Sequence, residues 1–200
     1  MSEYQIQDLI DFISRLPTVG SRSAKKIGIA MLKDRKNSMI KFANLLTNLA
    51  EKVKECEICR NIDTSEICSV CQSRKNVDQI CVVANIEDLW NIEKSGAYNG
   101  LYFTLWGLLS ATTSTLPKNL GIDKLCNMIA TKKPKEIIFA LGSTMASQTT
   151  YYFVLEELEK FALSAKLEVK FTSLAFGIPM GSEIDYLDEG TLIQSFKTRA

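Results

Sequence analysis

The sequence contains no histidine. That absence removes Ser-His-Asp and Cys-His catalysis and every imidazole-ligated metal site, and it leaves general acid–base chemistry to carboxylates, Lys, Tyr or Cys. A binding module is favoured over an enzyme. Glycine (10) and proline (4) are sparse in the 200 residues, and no low-complexity tract or internal repeat appears, so no long disordered stretch is expected. No run of about 18 apolar residues exists to span a membrane. The start, MSEYQIQDLIDFISRL, carries early acids and no apolar core of signal-peptide type. A soluble, cytoplasmic protein is expected. Neither G-x-x-x-x-G-K-[ST] nor G-x-G-x-x-G occurs, so nucleotide hydrolysis has no support.

What is present is enough hydrophobic content, 46%, for a real core in one large domain or two to three small ones. The net charge of +1 hides an asymmetry. Residues 1–54 hold ten Lys/Arg against five Asp/Glu, and residues 55–200 hold fourteen against eighteen. Between Arg15 and Lys41 eight basic residues meet one acid, Asp34. Such clustering fits a polyanion partner or, equally, a solvated basic helix face.

Periodicity divides the chain. Ile6, Leu9, Ile10 and Ile13 predict a first helix over 3–15, broken by Leu16-Pro17-Thr18-Val19-Gly20. Ser21 or Ser23 starts a second helix to about Leu32, and residues 37–54 read as a third with Phe42, Leu45, Leu46, Leu49 and Val53 on one face. From residue 79 strands alternate with helices: strands at 79–83, 100–106, 136–141 and 168–173, helices at 86–94, 122–132 and 147–165, the last with Tyr151, Val154, Leu155, Leu158, Phe161 and Ala162 inward. This alternation implies a parallel α/β sheet. The tail has Gly177, Pro179 and Gly181, then a helix from Asp188.

The most specific motif is Cys56-x2-Cys59-x8-Cys68-x2-Cys71. Two C-x2-C knuckles let four thiolates converge on one tetrahedral Zn²⁺, which would supply the folding energy that a core-poor segment lacks. Disulfides and redox thiols are the alternatives, and the paired knuckles favour zinc. Four Cys leave no open coordination position, so the site is structural. Cys81 and Cys126 sit in apolar surroundings and read as core residues.

A second motif is LPTVGSRSAKKI, residues 16–27. A tight turn ends at Gly20 and feeds a helix N-terminus flanked by Arg22, Lys25 and Lys26. Free N–H groups and the helix dipole there suit an anion. A helix–turn–helix corner with no ligand is the competing reading. In the α/β part, Val82–Asn85 and Leu141–Gln148 are expected to meet at the carboxyl edge of the sheet, where ligands of such folds bind. The acids Glu183, Asp185, Asp188 and Glu189 suit a subunit contact or, more plainly, a solvated helix start.

Taken in order, helix-hairpin-helix, four-Cys site and α/β segment, this chain resembles the RecR family of bacterial recombination mediators. The resemblance runs over nearly the whole length, through LPTVGSRSAKKI, CEICRNIDTSEICSVC, ICVVANIEDLWNIEKSGAYNGLYFTL, IIFALGSTMASQTTYYFVLEELE and LAFGIPMGSEIDYLDEGTL. It implies an α+β multidomain protein: a helix-hairpin-helix DNA-binding region over 1–54, a C4 zinc finger over 55–77, a Toprim-like α/β domain with a parallel sheet over 78–174, and a C-terminal oligomerisation segment over 175–200. It implies a non-enzymatic role in recombinational repair on single-stranded and gapped DNA, acting with RecO and RecF to help load RecA. It further implies a dimer or ring-like tetramer, Cys56, Cys59, Cys68 and Cys71 as zinc ligands, and Arg22 and Lys26, with Gly20 and Lys25 of the same turn, as DNA contacts.

The sequence also departs from that family. Thr18 stands where such hairpins usually have Gly, and Phe103 where the family has His. The acidic positions of a Toprim-type site hold Ala84 and Ala146-Ser147-Gln148. A catalytic Toprim enzyme would need those carboxylates to hold Mg²⁺. A scaffold that contacts only proteins is the remaining alternative, separable by a DNA-binding assay.

Overall fold

The computed structural model describes residues 2–110, 115–175, 177, 178 and 181–197; Pro179 of the tail turn lies outside them. The chain forms two compact units, Met1–Val53 and Lys54–Ala200.

The first unit is helical: α1 (Ser2–Ser14), α2 (Ser21–Lys33) and α3 (Ile40–Lys52). α1 packs on α2 through buried Ile13 and Ala24. Gly28 leaves room for α1, since a Cβ there would sit 3.1 Å from Ile10 Cγ1. The third helix was expected from residue 37, but Arg35–Met39 form a π-helical turn instead. Asp34 causes it: its carboxylate accepts from Ser38 Oγ (2.6 Å) and Asn37 Nδ2 (3.2 Å), while its carbonyl accepts from the amides of Ser38 (3.0 Å) and Met39 (3.3 Å). The Ser38 hydroxyl foremost holds that carboxyl below its ordinary range. None of the α3 side chains is buried, so the whole Phe42, Leu45, Leu46, Leu49 stripe faces outward.

The second unit opens with a small ribbon: β1 (Lys54–Glu55) antiparallel to β2 (Ile62–Asp63), then the short α4 (Ser69–Ser73). A four-stranded sheet follows, β3 (Gln79–Val83), β4 (Leu101–Thr104), β5 (Glu136–Ala140) and β6 (Lys170–Ser173), with helices α5 (Ile86–Ser95), α6 (Ile122–Lys132) and α7 (Met145–Ala165) between strands and α8 (Glu189–Lys197) at the end. The order is β4-β3-β5-β6 and every pairing is parallel. β3 and β4 are sealed on both faces, which is why they read as unbroken apolar runs. Val154, Leu158 and Ala162 of α7 are buried as expected, with Tyr151, Leu155 and Phe161 packed beside the core.

The second strand was expected over 100–106 but ends at Thr104. Trp106 (φ 63°) and Gly107 (φ 138°) leave the extended region, and the amides of Leu105 and Gly107 turn to the carbonyls of Val83 and Ala84, each at 3.0 Å. The chain leaves β3 toward β4 on one side, then returns past β3 to β5 on the other. The topological switch point therefore lies between β3 and β5, and the register Val83↔Ala140 sets Ala84 beside Leu141 at its mouth.

Candidate functional site

Two turns build the metal centre. In the first, Cys56 N donates to Asn61 O (2.6 Å) and Arg60 N to Cys56 O (3.0 Å), which requires Arg60 at φ 61°. In the second, Cys68 caps α4, its Sγ accepting from Cys71 N at 3.5 Å. Asp63 ties the turns together by accepting from the amides of Thr64 (2.6 Å) and Ser69 (2.9 Å) and from Ser69 Oγ (3.1 Å). Those donors, the Ser69 amide first, hold its carboxyl below the usual range.

The Sγ atoms of Cys56, Cys59, Cys68 and Cys71 all lie within 4.8 Å of one another, with Cys59 and Cys68 at 3.5 Å. A tetrahedral ZnS₄ centre with Zn–S near 2.3 Å has edges of about 3.8 Å, so the four sulfurs fit Zn²⁺. Cys56, Cys59 and Cys68 are fully buried. Amides donate to sulfur from Asn61 to Cys59 (3.4 Å) and from Cys68 to Cys56 (3.3 Å), the outer-shell support a thiolate needs. The cluster disfavours four like charges. The Cys59 thiol, donating to Cys68, pushes the latter far down, while that same bond pushes Cys59 far up. A dication resolves this by taking all four as thiolates. The site carries a structural zinc and has no position for substrate. Cys81 is buried in β3, its thiol pushed up to about 12 by burial, and Cys126 is half-buried on α6.

Residues that sequence reasoning passed over bind this ribbon to the sheet. Thr104 N donates to Cys59 O at 2.9 Å. Arg60, only 9% exposed, sends Nη1 to the carbonyls of Leu120 (2.8 Å), Thr104 (3.3 Å) and Leu105 (3.4 Å), Nη2 to Asn119 O (3.3 Å) and Nε to Glu55 (3.2 Å). Both tryptophans of the chain point their N–H at the same knuckle: Trp106 Nε1 to Arg60 O (2.8 Å) and Trp90 Nε1 to Asn61 Oδ1 (3.2 Å). The only advance signal was an Arg placed directly after the second cysteine of a metal knuckle.

At the switch point the structure brings together the two segments expected there. Ala84 is buried, Ser147 is buried and Gln148 is exposed. Of the nearby acids, Asp88 is already engaged, its Oδ2 accepting from Asn85 N (3.0 Å) in the capping box of α5. Thr144 caps α7 by accepting from Ser147 N (3.2 Å). Among the described residues, the four cysteines are the one group of three or more metal-ligating side chains close enough to share an ion.

In the helical unit, Gly20 is the extended residue before α2 (φ −78°, ψ 162°), with open space where a Cβ would project. Ser21, Arg22, Lys25 and Lys26 are all exposed on the first turns of α2, while Ala24 between them is buried. Thr18 adopts φ 65°, the left-handed conformation that explains a glycine preference at this position of such hairpins.

Comparison with known proteins covers the whole of this arrangement. Residues 53–73 match the family model for the RecR zinc finger domain of the four-cysteine type; residues 78–172 match the Toprim domain; residues 177–199 match RecR, C-terminal. A protein of Neorickettsia sennetsu named Recombination protein RecR is 41% identical over 98% of this chain and 97% of its own length. Proteins of the same name from Maricaulis maris (38%; 98% and 95%) and Novosphingobium aromaticivorans (36%; 100% and 98%) are similar end to end.

Proposed function

This chain belongs to the RecR family of recombination proteins, and on that premise we propose that it is a cytoplasmic DNA-binding mediator of recombinational repair, acting with RecO and RecF to help load RecA at single-stranded gaps, and without catalysis of its own. One observation carries the DNA-binding part: the basic hairpin, in which Gly20 opens α2 and exposed Arg22, Lys25 and Lys26 flank its free amides. Amides and cations at a helix start grip phosphate without reading bases. No helix of the described residues is long and apolar enough to cross a membrane.

The test is a salt titration on two DNAs of unrelated sequence. Binding falls steeply with salt and hardly differs between sequences. Arg22→Glu with Lys26→Glu weakens it on the order of a hundredfold near physiological salt, and flattens the log–log slope by about 1.8, from about 0.9 per lost phosphate contact on duplex. A double variant that binds like the parent excludes the hairpin.

The absence of catalysis is supported by the switch point, where Ala84, Ala146 and Gln148 offer no carboxylate to Mg²⁺. Calorimetry with Mg²⁺ is expected to show no binding heat, and plasmid to remain uncut and unrelaxed. Mg²⁺ binding that disappears in Glu87→Gln with Asp88→Asn would contradict this reading.

Self-association is supported by α3. Phe42, Leu45, Leu46 and Leu49 are each about half exposed, an apolar stripe of the kind a second copy covers. Leu45→Glu with Leu49→Glu is expected to reduce the mass seen by light scattering while helical circular dichroism persists. An unchanged mass would move the interface elsewhere.

A further inference from the structure

The two tryptophans sit where the ribbon meets the carboxyl edge of the sheet, and both are about half exposed (Trp90 50%, Trp106 43%). Neither is a core residue. Their N–H edges are tied to the knuckle at Asn61 and Arg60, which fixes the orientation of each indole. Trp106 is held at φ 63°, a conformation that side-chain-bearing residues rarely adopt, so this large ring stands at a position whose backbone suits glycine.

Trp106 is also the wall shared by two clefts of opposite character. On one side lies a small cleft of about 230 Å³ completed by Trp90, Ile62, Ile86, Asn85 and Glu87. On the other lies a broader one lined by Lys118, Lys124 and Arg60, with Glu55. Glu55 is neutralised there, since Arg60 (3.2 Å) and Lys124 (2.8 Å) both donate to its Oε1. Lys118 is exposed and has no ion-pair partner among the described residues. The small cleft is below the roughly 300–1,000 Å³ of sites that enclose a whole small-molecule ligand. A flat heterocycle joined to an anion that stays outside matches the pair of clefts: the ring enters the aromatic side, where Glu87 repels phosphate, and the phosphate lies on the lysine side.

We infer that Trp106 and Trp90 form a stacking platform for one base of single-stranded DNA, with Lys118 and Lys124 holding the adjoining phosphate. Base–aromatic stacking is tolerant of sequence, and duplex DNA, its bases already stacked, cannot use the platform. The platform thus distinguishes single strands from duplex, which phosphate contacts at a helix start do not. The inference rests on the DNA-binding reading above.

Because these are the only tryptophans in the chain, tryptophan emission, excited selectively over that of the tyrosines, reports on this site alone. The full-length protein is titrated with an end-labelled twelve-nucleotide oligothymidylate and with an abasic strand of equal length. Label anisotropy follows binding, and tryptophan emission follows stacking. The oligothymidylate is expected to quench the emission and to bind more tightly than the abasic strand, which quenches little. Trp106→Gly, which suits the local φ, lowers oligothymidylate affinity about tenfold and leaves abasic binding unchanged. Trp106→Phe loses the indole hydrogen bond but keeps a ring, and restores most of the affinity, which a purely structural role would not allow. Lys118→Glu weakens both strands. Oligothymidylate binding seen by anisotropy with unchanged tryptophan emission overturns the platform and leaves the hairpin reading standing. No binding of either strand by anisotropy overturns both. Quenching by an arginine-rich peptide and not by oligonucleotides assigns the clefts to a protein segment and likewise overturns the inference.

Discussion

Cys59→Ser protein is expected to carry no zinc after purification without chelator, and its ribbon, residues 54–73, to be unfolded. Three thiolates and a hydroxyl cannot close a tetrahedral site whose sulfurs converge within 4.8 Å of one another. Structural Zn²⁺ contributes on the order of 10–16 kcal/mol in apparent terms. The ribbon has little to replace it, since its two strands are two residues each and its helix five. The effect reaches further. Cys59 O accepts the amide of Thr104, and the next residues, Arg60 and Asn61, receive the indole N–H of Trp106 and Trp90. Loss of the knuckle therefore frees both tryptophans. A chelator added to the parent protein should produce the same outcome, a red shift of tryptophan emission in step with zinc release measured by a colorimetric dye. Zinc-free parent protein with unchanged emission would show that the ribbon holds its shape without the metal.

Arg60→Ala is the second large effect. The guanidinium is buried against four backbone carbonyls and Glu55, and lies 5.9 Å from the centre of the Phe103 ring. Its removal leaves carbonyls of Thr104, Leu105 and Leu120 short of a donor in the interior, at about 1–3 kcal/mol for each acceptor left without water or protein. The net loss is expected near 3–5 kcal/mol, the range for removing one partner of a buried polar network. For a unit of this size that lowers Tm by roughly 6–20 °C. Arg60→Lys recovers only part, because a single ammonium cannot replace the planar fork that serves Leu120 and Asn119 together. Gly121→Ala should weaken the same joint from the other side: a Cβ there runs into the Arg60 guanidinium, and φ is 71°. Lys124→Met is the control. It removes the other cation from Glu55 at an exposed position and should cost about 0.5 kcal/mol or less. Thermal unfolding of these four variants orders them; equal Tm for Arg60→Ala and Lys124→Met would remove Arg60 from the joint.

Some of this architecture follows from local order alone. The four ligands are written as two C-x2-C turns, and a turn that short brings its own two sulfurs to one side, ready to share a metal with a second such pair. The strand Gln79–Val83 and the helix Ile122–Lys132 appear where the sequence places them, the strand because an unbroken apolar run suits burial on both faces, the helix because its apolar period buries one face against the core. The missing carboxylates at Ala84, Ala146 and Gln148 are equally plain in one dimension, since absence of a charged atom needs no geometry. Tertiary structure decided the rest. Arg60 reads as a solvated charge in a polar segment, and becomes the pin of the joint only because Leu105 and Leu120 arrive beside it from 45 and 60 residues away. Asp34 turned a helix start into a π turn through side-chain bonds that no period reveals. The stripe on α3 was legible as a face, but its exposure was not, because hydrophobic spacing names the residues that want cover and not what covers them. Trp90 and Trp106 are 16 positions apart and carry no motif. Only the crossing of the chain from β4 back past β3 to β5, with the ribbon docked at β4, brings their rings to one edge, and that placement is set by sheet topology and burial far along the chain.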